Sequence, residues 1–405
     1  MTLTLRDSLT GRRQRVRPHG RPNVTLYVCG PTVYDAGHVG HGRTYLYFDL
    51  VRRILADDGV AVRHVMNITD VEDKITAKAK SLGVTWSQLA RREERGYLSD
   101  LAALGILPPT ATPRASDFVG RMVEIARRLD RAGCVRRSEE GWVYEPPTAH
   151  AARNFAAAAD LEEHAVLEPG HPFVGGPGDA REFLVWKPQE APLPSFPSPW
   201  GPGVPGWHLE CYTMAEDLLQ IPVDLHGGGL DLIFPHHYAE NEVALTLDGT
   251  PFARTFLHTA FVTGNGSKMS KSTGNLIRLR PTLEEVGRDA LRWYLLHLPY
   301  SRGLEWQPTG LAVAATTHQR VLGTLRSALA PGAGGTLGLR AFERLAATVR
   351  RQLSDGLRAQ DALETLRSFA EAVDRVGNGR VARGDRPKAL AEIRRTEALL
   401  GIRLH

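Results

Sequence analysis

Cysteine is scarce in this chain of 405 residues: Cys29, Cys134 and Cys211 are too few and too scattered for a disulfide framework. Lysine is nearly as scarce, with seven in all, so two that fall close together need a reason. No uninterrupted apolar run approaches a membrane span and no secretory leader opens the chain, which points to a soluble protein of a reducing cytosol. Hydrophobic residues make up 42% of the chain, ample for the cores of two to three domains.

What is present begins with metal-ligand chemistry. His236 and Glu240 lie four apart, so on a helix they project from one face, one turn apart. Cys29 ends the apolar run Leu26-Tyr27-Val28, and Cys211 follows Gly206-Trp207-His208-Leu209-Glu210. Thiolate, imidazole and carboxylate all suit Zn²⁺, and two remote cysteines can complete a tetrahedral set only through tertiary folding. Spacing alone leaves open the plainer reading of two buried cysteines beside an exposed helix pair. Cys134, after Gly133, reads as an ordinary thiol.

Two further segments suit phosphate chemistry. The putative strand Thr25 to Cys29 runs through a glycine-bearing turn into His38-Val39-Gly40-His41-Gly42-Arg43 and then an apolar-periodic stretch through Ile54. Such a turn at a helix start aims backbone N–H groups at a phosphate, and two imidazoles three apart there can donate to its oxygens. Far downstream, Gly264-Asn265-Gly266-Ser267-Lys268-Met269-Ser270-Lys271-Ser272 sets two lysines in a Gly/Ser loop, as a departing pyrophosphate requires.

His38-Val39-Gly40-His41 with Lys268-Met269-Ser270-Lys271-Ser272 resembles the two signatures of class I aminoacyl-tRNA synthetases. Tyr27 to Asp35, Asn67-Ile68-Thr69-Asp70, Gly206 to Cys211 and Asp224 to His237 narrow the resemblance to the cysteinyl-tRNA synthetase family, including its short relative, the cysteine:glucosaminyl-inositol ligase of mycothiol synthesis. It runs from about Leu26 to about Trp306. It implies one zinc held by Cys29, Cys211, His236 and Glu240 that takes the substrate cysteine's sulfur, with Gly30, Thr69 and Trp207 beside the amino acid. It also implies ATP, with Mg²⁺, held by His38, His41, Gly227, Gly228, Gly229, Asp231 and Lys271, with His38, His41, Lys268 and Lys271 stabilising the charge that develops during adenylation. A thiol loses its proton readily on zinc and a serine hydroxyl does not, so selectivity would reside in the metal. One departure is Tyr238-Ala239 ahead of Glu240-Asn241-Glu242, where the family more often runs from His-His straight into Glu-Asn-Glu. Glu242 is then a rival ligand, but six residues from His236 it points to the far side of a helix.

The fold expected is α/β: a class I synthetase Rossmann-like, doubly wound parallel sheet with an insertion and a C-terminal α-helical bundle. Residues 1–109 would hold the first half of the catalytic domain, opening with an Arg-rich hairpin; 110–200 the insertion, with a helix over 116–132 and then irregular Gly/Pro-rich chain; 201–265 the second half; 266–307 the lysine loop and stem-contact region; and 308–405 the bundle. Helices are expected over 90–107, 281–296, 311–329, 339–352, 359–376 and 388–400. Residues 311–405 carry fifteen Arg and one Lys against nine acids, hence +7, while the whole chain is +5 and the first 310 residues therefore −2. A basic bundle suits RNA, although arginines three or four from an acid, such as Arg340 and Arg367, also suit a solvated helix face.

The resemblance thus implies ATP-dependent activation of L-cysteine to cysteinyl-AMP and transfer to an acceptor. That acceptor would be tRNA(Cys) or, because the chain stops at Ile402-Arg403-Leu404-His405 without the family's usual anticodon module, a small amine such as glucosaminyl-inositol. The synthetase form Gly30-Pro31-Thr32-Val33-Tyr34 favours tRNA, and a non-catalytic paralogue is disfavoured by the lysines, histidines and metal residues. A monomer with no membrane association is expected.

Overall fold

The structure, a computed structural model, describes residues 3–147, 182–191, 193–264, 267–269, 276–331, 337–376 and 379–405, with the backbone alone for Ser267 and Lys268. The Arg-rich lead-in forms an antiparallel hairpin of β1 (Thr4–Arg6) and β2 (Arg13–Arg15). Its charged positions face outward while Leu3, Leu5 and Val16 are buried.

The nucleotide-binding unit then begins with β3 (Val24–Val28), buried at every position, as a central parallel strand covered on both faces must be. Helix α1 (Val39–Asp57) follows, and then β4 (Val62–Met66), α2 (Asp73–Leu82) and α3 (Trp86–Ala103). Apolar side chains on almost every side of α1 are buried, among them Val39, Leu46, Phe48, Leu50, Val51 and Ile54, so it is an interior helix. A capping box between Thr85 and Gln88 starts α3, and Gly105 at φ +77° forbids its continuation. The helix therefore lies four residues N-terminal to the stretch expected from periodicity.

The insertion supplies α4 (Val119–Arg131) and an antiparallel sheet of β5 (Val135–Arg137), β6 (Trp142–Tyr144), β7 (Phe183–Pro188) and β8 (Gly203–Pro205). Residues 183–188 and 203–205 are therefore strands, where composition suggested irregular chain; the prolines sit at strand ends, where a missing N–H costs little. The stretch around Pro169-Gly170-His171-Pro172 lies outside the described residues.

The second half returns through α5 (Trp207–Leu219), β9 (Leu225–Gly229), a π-turn over Ile233–His237, α6 (Tyr238–Asp248) and β10 (Phe256–Thr259). Strands β3, β4, β9 and β10 form one parallel sheet in the order β10-β9-β3-β4. The chain winds outward in both directions from the β3–β9 pair, so the crevice at the carboxyl ends of those two strands is the switch point where ligands bind in such sheets. Gly227 makes the layers fit: a Cβ there would stand 2.5 Å from Phe48 Cζ and 2.2 Å from the Leu257 carbonyl oxygen.

A small sheet follows, β11 (Val262–Gly264) paired antiparallel with β12 (Ser267–Lys268). Helices α7 (Leu279–Val286) and α8 (Arg288–Leu296) replace the single helix expected over 281–296, because Gly287 at φ +78° breaks it. Strand β13 (Leu304–Glu305) pairs parallel with β11. The remainder is a bundle of α9 (Pro308–Leu329), α10 (Leu339–Ser354), α11 (Ala359–Arg375) and α12 (Arg386–Leu400), whose core runs into that of the sheet.

Charged groups join the bundle to α1. Asp49, fully buried, accepts from Arg292 Nη2 and Arg53 Nε, both at 2.7 Å, and from the Leu107 N–H at 3.0 Å. Arg292, also fully buried, donates to the carbonyls of Leu104, Gly105 and Leu400, and Arg53 donates to those of Gly105 and Ala398. Nearer the end of α1, Asp57 pairs with Arg350 and Arg395. Some of the bundle's arginines thus bind helix α1, and others, such as Arg367 with Glu364 and Glu371, pair along their own helix.

Candidate active site and metal centre

Cys29 leaves the end of β3, Cys211 stands on α5, His236 in the π-turn and Glu240 one turn on in α6. All four are buried, and their ligand atoms lie within 4.8 Å of one another. Four edges of the cluster are 3.7 Å between the two sulfurs, 3.7 Å from Cys29 Sγ to Glu240 Oε1, 3.3 Å from His236 Nε2 to Cys211 Sγ and 3.2 Å from His236 Nε2 to Glu240 Oε1. A tetrahedral ion with bonds of about 2.3 Å to sulfur and about 2.0–2.2 Å to nitrogen and oxygen requires edges of about 3.8, 3.6, 3.6 and 3.4 Å in the same order. The donor set therefore fits a four-coordinate metal.

Electrostatics agree. Burial pushes the Cys29 thiol up, whereas in Cys211 a hydrogen bond with Cys29 and the charge of His236 overcome burial and bring the thiol down to about 6. Burial favours neutral His236, but Glu240 and Cys211 raise it to about 10. Burial likewise opposes ionised Glu240, and His226, His236 and His237 outweigh it, holding the carboxyl well below its usual range. Two anions thus surround one shared positive charge, the arrangement a dication replaces. Glu242 accepts from Tyr144 Oη at 3.3 Å, on the insertion side of α6, and belongs to neither group of candidate ligands.

A second group, Cys29, His226, His237 and Glu240, also meets the distance condition. We favour the first because the remaining histidines serve as its supports. His226 Nε2 holds Glu240 Oε2 at 2.8 Å, with His226 Nδ1 3.0 Å from the Tyr27 carbonyl. His208 Nδ1 lies 3.1 Å from His236 Nδ1, the nitrogen turned away from the cluster. His237 bridges Cys29 Sγ, at 3.3 Å, and His258 Nε2, at 2.7 Å. Partners of this kind orient ligands and fix imidazole tautomers.

Beside the cluster the Trp207 ring stacks on His236, with centroids 4.2 Å apart at 17°. Trp207, His208 and Glu210 also line a cleft of about 80 Å³ together with Glu72, Leu184 and Lys187. Thr69 Oγ1 donates to buried Glu210 at 3.0 Å, and Asn67 Oδ1 accepts from the Gly30 N–H at 2.8 Å. Gly30 has no room for a side chain: a Cβ would stand 1.5 Å from the Asn67 carbonyl oxygen.

The other side of the crevice belongs to α1. His38 caps the helix, its Nδ1 accepting from the N–H groups of Gly40 at 3.1 Å and His41 at 3.4 Å, while His41 Nδ1 accepts from the His38 N–H at 3.4 Å. The rings stack at 3.7 Å. With Nδ1 accepting in each, the neutral rings carry their protons on Nε2, which leaves each ring one N–H donor. Gly229 and Asp231 lie at the open end of β9, whereas Gly227 and Gly228 are buried in the sheet. Lys268 ends β12 and Lys271 lies outside the described residues.

Residues 15–316 match the family of tRNA synthetases class I (C) catalytic domain. The cysteine--tRNA ligase of Rhodospirillum rubrum is 36% identical over 412 residues, covering 99% of this chain and 85% of its own length. The chain belongs to the cysteinyl-tRNA synthetase family. A second relative, the cysteine--tRNA ligase of Thermococcus onnurineus, is 36% identical over 81% of this chain and 68% of its own. Among solved structures, methionyl-tRNA synthetase of Mycobacterium tuberculosis in complex with methionyl-adenylate superposes with a TM-score of 0.68 at 17% identity, covering 94% of this chain and 90% of that one. The LeuRS of Agrobacterium radiobacter K84 gives 0.67 at 12% identity, covering 95% and 84%. These two establish the class I synthetase fold.

Within the family frame, sequence reasoning took His236 and passed over His208, His226, His237 and His258. A signal was available: five of the chain's fifteen histidines fall between residues 208 and 258. Among the described residues no helix is long and apolar enough to cross a membrane.

Proposed function

We propose that this protein is a cysteine--tRNA ligase: it activates L-cysteine with ATP and transfers the cysteinyl group to tRNA(Cys). The observation that carries this reading is the Cys29/Cys211/His236/Glu240 cluster at the end of β3, with the capped His38–His41 pair at the start of the helix that follows, in a chain of the cysteinyl family. Zinc is the ion that suits two thiolates, an imidazole and a carboxylate. Held by these four residues, it would supply a soft Lewis-acid position for a thiol, which a serine hydroxyl fills poorly.

The chain's own groups do the rest by placement. Gly30, Thr69 and Trp207 border the amino acid, with the indole excluding water from the sulfur. Gly229 and Asp231, at the open end of β9, lie along the ribose and adenine of ATP, which enters with Mg²⁺, while Gly227 and Gly228 lie behind them in the sheet. A carboxylate oxygen of cysteine attacks the α-phosphorus, the bond to the β-phosphate bridging oxygen breaks, and pyrophosphate leaves. Nε2–H of His38 and of His41, with Lys268 and Lys271 from the loop, stabilise the negative charge that builds on the phosphates. A hydroxyl of the tRNA's terminal adenosine then attacks the cysteinyl carbonyl and AMP departs. The protein acts as a cytoplasmic monomer, checked by sedimentation.

The test is cysteine-dependent pyrophosphate exchange, followed by an offer of total tRNA in one tube and glucosaminyl-inositol in another. Base-labile cysteinyl-tRNA, with serine ineffective, is expected. An amide product without charged tRNA would overturn the acceptor, and exchange that proceeds equally with serine would overturn the metal's role.

A further inference from the structure

Arg43 follows His41 by two residues on α1 and is fully buried. A guanidinium in the interior needs an anion or a full set of acceptors, because an unpaired buried charge is very costly. Among the described residues no carboxylate pairs with it. Four main-chain carbonyls take its N–H groups instead: Nη1 donates to Ala260 at 3.1 Å and Phe261 at 3.4 Å, and Nη2 to Pro299 at 2.7 Å and Arg302 at 2.8 Å. Nε is buried without a partner. The Tyr47 ring lies 5.9 Å from the guanidinium carbon.

The position of those carbonyls is what matters. Ala260 and Phe261 immediately precede β11, and Pro299 and Arg302 lead into β13, which pairs with β11. One side chain of the phosphate-facing helix therefore holds both roots of the small sheet whose hairpin ends at Lys268. The adjacent Thr44 adds a hydroxyl contact of 2.7 Å to Thr259. An apolar side chain would fill the same volume at lower cost, so what arginine adds is its rigid fork of donors.

We propose that Arg43 is a positioning residue for adenylation: it fixes the hairpin from which the lysine loop departs relative to His38 and His41, so that both ATP-facing motifs meet the same phosphates. This rests on the activity proposed above, but the link it describes is mechanical and can be read without activity.

The experiment compares Arg43→Met and Arg43→Lys with the wild-type chain. Amide hydrogen exchange over residues 260–264 should rise in both, more in the methionine variant, while α5 and α6 keep wild-type protection and bound zinc is unchanged. In the same preparations, kcat for pyrophosphate exchange should fall about 100-fold in the methionine variant with KM for cysteine unchanged, and the lysine variant should recover part of the loss. Wild-type protection over 260–264 in both variants overturns the proposal, as does a loss of cysteine binding that matches the loss of kcat. If the methionine variant does not fold, the lysine variant decides by the same two readings. A wild type without exchange activity, but with protection that falls on substitution, supports the link and refutes the activity.

Discussion

The buried knot around Asp49 makes the sharpest stability prediction. Asp49→Asn keeps the shape of the side chain but leaves the guanidiniums of Arg292 and Arg53 facing each other without an anion, Arg292 at zero exposure. Removing one partner of a buried pair costs about 3–5 kcal/mol. Arg292→Met leaves Asp49 with Arg53 and the Leu107 N–H but also takes a donor from the carbonyls of Leu104, Gly105 and Leu400, so it should cost about 3–5 kcal/mol as well. The double variant should cost less than the sum of the singles. Urea unfolding at neutral pH measures all three. Acid supplies a second check. Burial works against ionised Asp49, but Arg292 and Arg53 outweigh it and lower its carboxyl, so its contribution is fully present above the unfolded-state value of about 3.9 and is lost as pH falls through the lower folded value. The gap between wild type and Asp49→Asn should therefore shrink below about pH 4. An Asp49→Asn or Arg292→Met variant within about 1 kcal/mol of wild type at neutral pH would refute this account of the knot.

Three further outcomes are expected. Cys211→Ser should lose its bound zinc, measured by atomic absorption, and cysteine activation with it; full activity in a metal-free protein would remove the metal from the mechanism. His236→Ala should abolish metal binding, whereas His208→Ala and His226→Ala should weaken it about 10–100-fold in chelator competition; the reverse order for His236 and His226 would move the centre to the second ligand set. Gly30→Ala forces the β3 end away from Asn67 and should destabilise by at least about 4 kcal/mol or prevent soluble expression, and a variant that melts with the wild type would contradict the close approach described.

Residue chemistry was more legible in the sequence than geometry. Cys29, Cys211, His236 and Glu240 were named through the family resemblance, since spacing alone left open two buried cysteines beside an exposed helix pair; the fold brings their ligand atoms within 4.8 Å of one another. The histidines behind them were not, because an imidazole that orients another looks the same in sequence as one that packs in a core. Helices of the bundle were readable from their apolar period to within a few residues. The break at Gly287 was not, since the apolar period runs across it and only backbone conformation reveals the turn. Strands β7 and β8 were hidden by their prolines, and Gly227 is needed where α1 crosses the sheet, a requirement that depends on Phe48, 179 positions earlier.

The metal residues also set a timetable. Cys29 and Cys211 are 182 residues apart in the chain, and Glu240 comes later still. At about 5–20 residues per second of synthesis, the first thiol waits about 10–40 s before its partners exist. During that interval Cys29 is an ordinary reactive cysteine on a growing chain, open to oxidation or to a stray copper ion. On the function proposed, zinc loading is thus a late event, and a Cys29 thiol kept reduced until then is a condition for it.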